Sequence, residues 1–121
     1  MTAQRHPSPA SQPLLPRPDR TTAALRSAVA RLMPAKLPEM EHQTEEALSL
    51  AARTGTLAPL TSFLESWAVT VEIARIPAAA EQLRAAEYKV RAVRPDDPAW
   101  RTAMDEIGQL HATARDALAT R

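Results

Sequence analysis

The densest grouping of side chains that could do chemistry is Glu41, His42, Glu45 and Glu46. On a helix, His42 and Glu46 stand one turn apart and could share a metal ion. A two-metal helical bundle needs carboxylates from several helices, usually with Glu-x-x-His in two of them. Here the order is His-x-x-Glu and it occurs once, so an acidic solvated helix face is the commoner reading. His111, with Asp116 near it, is the second place for chemistry. A general base needs a reacting partner and a neighbour that orients it. The chain has neither cysteine nor Gly-x-Ser-x-Gly, so a histidine at the boundary of a helix's apolar side is the simpler account. Arg84, Lys89, Arg91 and Arg94 form a basic run around Tyr88 that could meet phosphates. Glu81 and Glu87 dilute it, and no helix-turn-helix turn with its glycine is visible. Trp67 and Trp100 could stack a ligand, but at helical spacing tryptophan is more often core. The sequence therefore leads to no expected catalytic, cofactor-binding or metal-binding residue.

The stretch that must position these groups is Thr56 to Ile76. Leu57, Leu60, Phe63, Leu64, Trp67, Val71 and Ala74 recur at spacings of three and four, which makes one face of a helix. Ala68, Val69 and Ile73 lie outside that face and are apolar too, so the helix is expected to be covered on more than one side. It reads as the central strut of a bundle, bounded by Gly55 and Pro77.

The other elements follow in order. Residues 1–19 hold five of the 11 prolines and read as a disordered Pro-rich tail, with Leu14 and Leu15 too few to fold on. Thr21 is a plausible cap for a first helix, Thr22 to Leu32, with Leu25, Ala28, Val29 and Leu32 inward. Pro38 opens a second helix to about Arg53, with Leu37, Met40, Thr44, Ala47, Leu48 and Ala51 inward. Gly55 suits the left-handed stop beyond it, and Thr56 can cap the central helix. Pro77 starts a fourth helix to about Val93, lined by Ala79, Leu83, Ala86, Val90 and Val93. Asp97 caps a fifth, with Pro98 at its first position and Trp100, Ala103, Met104, Ile107, His111, Ala114 and Leu118 on one side. Gly108 inside that helix costs stability and predicts a close helix crossing.

Composition agrees with this all-α reading, a compact bundle of about five helices in a single domain over residues 20–121. A chain of 121 residues with 2 glycines and 3% aromatics has an aliphatic, alanine-rich core and almost no room for phosphate-binding glycine loops. The absence of cysteine removes disulfides and thiolate zinc sites and fits a reducing cytoplasm. No apolar run reaches the roughly 18 residues of a bilayer span. No apolar stretch follows Arg5 and His6, so no signal peptide is expected. Net charge is +1, but its distribution is uneven: +5 from Met1 to Lys36, −5 from Leu37 to Glu72 and +1 over the remainder. A basic first helix lying beside an acidic second one is the simplest cause.

Several phrases together resemble one family. Arg20-Thr21-Thr22-Ala23-Ala24-Leu25-Arg26 is similar to its opening. Leu37-Pro38-Glu39-Met40-Glu41 with Glu45-Glu46-Ala47-Leu48 is similar to its second helix, and Leu57-Ala58-Pro59-Leu60 with Phe63-Leu64-Glu65-Ser66-Trp67 to its most recognisable stretch. Asp96-Asp97-Pro98 resembles its last linker. This is a small actinobacterial, Streptomyces-type helical family, domain of unknown function family 6247. The resemblance spans Arg20 to Leu118 and implies no catalytic residues. Some family members are encoded beside RelE/ParE-like toxins, so it implies an antitoxin-like role. Usual antitoxins place a DNA-binding fold first and a disordered arm last, whereas here the expected disorder comes first.

The expected function is therefore that of a non-enzymatic, cytoplasmic protein-binding module without cofactor. Its antitoxin-like form would neutralise a small basic partner such as a RelE/ParE-like toxin. Glu41, Glu45 and Glu46 on the acidic second helix are the expected partner-binding face. The alternative is a DNA-associated transcriptional regulator that uses the N-terminal arginines with Arg84, Lys89, Arg91 and Arg94 as nucleic-acid contacts.

Overall fold

The structure is a computed structural model and describes residues 9–120. Five helices follow one another: α1 (Thr22–Leu32), α2 (Leu37–Thr54), α3 (Ala58–Ala74), α4 (Pro77–Ala92) and α5 (Pro98–Ala119). Single 3-10 turns lie at Pro9–Ser11 and Pro34–Lys36, and there is no strand among the described residues. Among the described residues, no helix is long and apolar enough to cross a membrane.

Local chemistry explains where each helix starts and stops. Thr21 is extended, and its hydroxyl accepts the Ala24 N–H at 3.1 Å. Asp97 does the same for Ala99 at 2.8 Å, with Pro98 following at a position where no N–H is needed. Thr56 Oγ1 accepts from Ala58 N at 2.9 Å and so caps α3 from just ahead of it. Gly55 ends α2 at φ 70°, the left-handed region that favours glycine.

α3 is the element shared by two helix pairs. It packs against α1 and α2 and also against α4 and α5, and α4 packs most extensively on α5. That is why Phe63, Trp67, Ala68, Val69, Val71 and Ile73 are all buried, although no single helix face holds them. Leu25 and Val29 from α1, Met40 and Ala47 from α2, and Ala114 and Leu118 from α5 complete the cluster. The Trp67 indole N–H donates to Gln43 Oε1 at 2.9 Å, so the largest core side chain is satisfied as well as buried. Arg26 on α1 meets Glu41 on α2 at 2.6 Å, which places the basic first helix beside the acidic second one.

Several expectations are corrected. Residues 9–19 do not hang free. Leu15 packs on the core cluster, Leu14 N–H donates to the Arg75 carbonyl at 2.7 Å, and Arg17 forms an ion pair with Glu72. Two leucines alone could not order this stretch, but an arginine that satisfies a buried carboxylate can. The part of that expectation covering residues 1–8 lies outside the described residues. Leu57 is exposed because α3 begins after it, at the turn from α2. Leu48 and Met104 are exposed at the margins of their helices' buried stripes. Gly108 is also exposed, and a Cβ built there meets nothing within 4 Å, so no helix crosses at that point.

Candidate functional site

α2 turns about 100° per residue, so Glu41 and Glu45 stand one turn apart on the same side of the helix and Glu46 about a quarter turn further round. Glu41 lies on the flank nearer α1 and is held by Arg26. Glu45 and Glu46 line a groove between α2 and α3, of about 580 Å³, together with His42, Leu50, Arg53 and Pro59. His42 Nε2 is 2.9 Å from Glu46 Oε1, which realises the one-turn pairing in the sequence. No third ligand joins them: among the described residues, no three His, Asp or Glu side chains stand where they could hold a metal ion. Glu45 has no ion pair among the described residues. Glu45 and Glu46 thus share the groove, and Glu41, one turn before Glu45, lies outside its lining and is engaged by Arg26. Leu48 and Leu50, 53% and 42% exposed, stand on opposite flanks of the same helix.

The basic run on α4 and the linker after it is broken up by its neighbours. Arg84 is bound to Glu81 at 2.7 Å and Arg94 to Asp96 at 3.4 Å. Lys89 and Arg91 remain exposed and unpaired among the described residues, beside an exposed Tyr88. They do not form a continuous cationic strip of the kind a phosphate backbone needs. Trp67 is core, and Trp100 is half-buried on the first turn of α5. His111 Nδ1 lies 2.9 Å from the Ile107 carbonyl. A carbonyl only accepts, so that nitrogen carries the proton, and Asp116 has no bond to the ring among the described residues.

The strongest polar cluster joins residues that the sequence did not bring together. Glu72 and Arg75 are the two buried charged residues among those described, each 8% exposed. Arg17 donates from Nε to Glu72 Oε1 at 2.9 Å and from a terminal nitrogen to Oε2 at 3.0 Å. Arg75 donates to the same two oxygens at 2.9 and 3.2 Å, and to the Leu15 carbonyl at 3.2 Å. Burial pushes the Glu72 carboxyl up, but the bonds from Arg17 and Arg75 outweigh that and hold it below its ordinary value. The Glu72 carboxylate in turn raises Arg17 above the ordinary guanidinium value. This arrangement fixes charge instead of offering it, so it is structural. A glutamate and an arginine three apart inside an apolar helix were the available signal, because such a pair is expensive to bury without further partners.

The chain matches no protein-family model, and no curated protein or solved structure is similar to it.

Proposed function

We propose that the chain is a non-enzymatic helical module that binds another protein through the side of α2 facing the α2–α3 groove. The observation that carries this reading is Glu45 and Glu46 beside the exposed Leu50 along that groove. Folding uses Glu41 through Arg26 but leaves Glu45 without an ion pair among the described residues. Carboxylates next to exposed apolar area suit a partner segment that is both basic and apolar, since charge sets the approach and buried leucine sets the lifetime. A small basic protein of the RelE/ParE-like kind, met in the cytoplasm, has that chemistry. This is the antitoxin-like form suggested by the family resemblance. The broken-up basic run on α4 favours a protein partner over DNA.

The test is a tagged pull-down from native host cells at moderate salt, read by intact mass spectrometry. Co-purification of a stoichiometric basic protein is expected, with capture abolished by Glu45→Lys with Glu46→Lys. Glu41→Lys alone should weaken capture far less. Capture untouched by the double reversal would overturn the assignment of the face.

A further inference from the structure

A second cleft, of about 440 Å³, lies between α3 and α5 next to the start of α1. Its size falls in the range of small-ligand sites, about 300–1,000 Å³. Arg20 and Arg115 both line it, and neither has an ion pair among the described residues. Arg20 is not loose: one terminal nitrogen donates to the Leu118 carbonyl at 2.9 Å, which fixes the guanidinium at the edge of the cleft with other N–H groups to spare. Val69, Leu118 and Ala119 give the cleft an apolar part, and Glu65 is its one acid. Two cations against one carboxylate leave it net positive beside apolar surface.

We propose that this cleft binds a small organic carboxylate with an apolar tail. A guanidinium presents parallel N–H groups that match the two oxygens of a carboxylate, and Arg115 has no ion partner among the described residues. The tail lies over Val69, Leu118 and Ala119. Glu65 opposes the bound charge, so it limits affinity and gives the site a signed test. The proposal is independent of the α2 surface.

The probe is sodium hexanoate, titrated into the full chain and followed by two-dimensional ¹⁵N NMR. Acetate supplies the charge without the tail, and hexanol the tail without the charge. Saturating shifts are expected at Val69, His111, Arg115 and Leu118, with a Kd of about 1 mM. Acetate and hexanol should both bind more weakly. Arg115→Gln should weaken hexanoate about tenfold and Glu65→Gln should tighten it. Both side chains are exposed, so neither change threatens the fold, and circular dichroism verifies that. Shifts that do not saturate, that map away from the cleft, or that ignore Arg115→Gln would overturn the proposal. Acetate binding as tightly as hexanoate would also overturn it, by reducing the site to a surface charge.

Discussion

Arg17 grips both carboxylate oxygens of Glu72 across 55 residues of chain, and Arg75 grips the same two oxygens from the residue that ends α3. Glu72 is nearly sealed from water while Arg17 is partly open, so the contact is anchored from inside the fold.

Removing either side of this contact should be felt. Arg17→Ala leaves Glu72 with Arg75 alone and should cost about 1.5–3 kcal/mol, the scale for hydrogen bonds to a charged group. Glu72→Gln leaves two guanidiniums facing a neutral amide and should cost about 3 kcal/mol. Urea denaturation followed by circular dichroism measures both. Arg17→Ala within about 0.5 kcal/mol of the parent would show that residues 9–19 are not held by this contact.

The same carboxylate makes stability depend on acid in a defined direction. Its folded value lies below its unfolded one, which is about 4.3. Above that unfolded value the contribution is fully present, and it is lost as pH falls through the folded value. Thermal melts from neutral to acidic pH should therefore show a steeper acid loss in the parent chain than in Glu72→Gln. Parallel curves would count against a depressed Glu72.

The two glycines should respond in opposite directions. Gly108 is exposed within α5 and has open space for a Cβ, so Gly108→Ala should stabilise by about 1 kcal/mol and raise Tm by about 4 °C. Gly55 also has open space, but its φ of 70° penalises any side chain, so Gly55→Ala should destabilise by about 1 kcal/mol. Matched changes of one sign would contradict the backbone geometry at one of the two sites.

Retention on heparin separates the protein-binding reading from its DNA-binding alternative. With Arg84 and Arg94 occupied by neighbouring acids, the chain should elute at low salt. Lys89→Ala with Arg91→Ala should change elution little. Strong, salt-dependent retention abolished by that pair would restore the DNA reading.

What the sequence made legible was whatever repeats or caps within one turn or two. α3 showed itself through its apolar spacing, and Thr21, Gly55 and Asp97 through local hydrogen-bond needs. The pairing of α1 with α2 showed itself through charge. Contacts between distant segments left no such trace. Arg17 sits between Pro16 and Pro18, a setting that reads as extended and solvated, and nothing local points to a carboxylate 55 residues away. Gly108 misled because glycine inside a helix signals tight packing only when a neighbour is there. The α3–α5 cleft was hidden for the same reason as the clasp: Arg20, Glu65 and Arg115 come from three separate segments.

The anchorage of Leu14, Leu15 and Arg17 at the corner where α3 turns into α4 also decides how the molecule carries a mechanical load. Tension applied to the chain ahead of Pro9 reaches this clasp before it reaches α1. The load then falls first on a short strap, whose turn at Pro9–Ser11 packs on α4 and whose Leu14–Arg17 stretch holds Arg75 and Glu72, ahead of the five helices behind it.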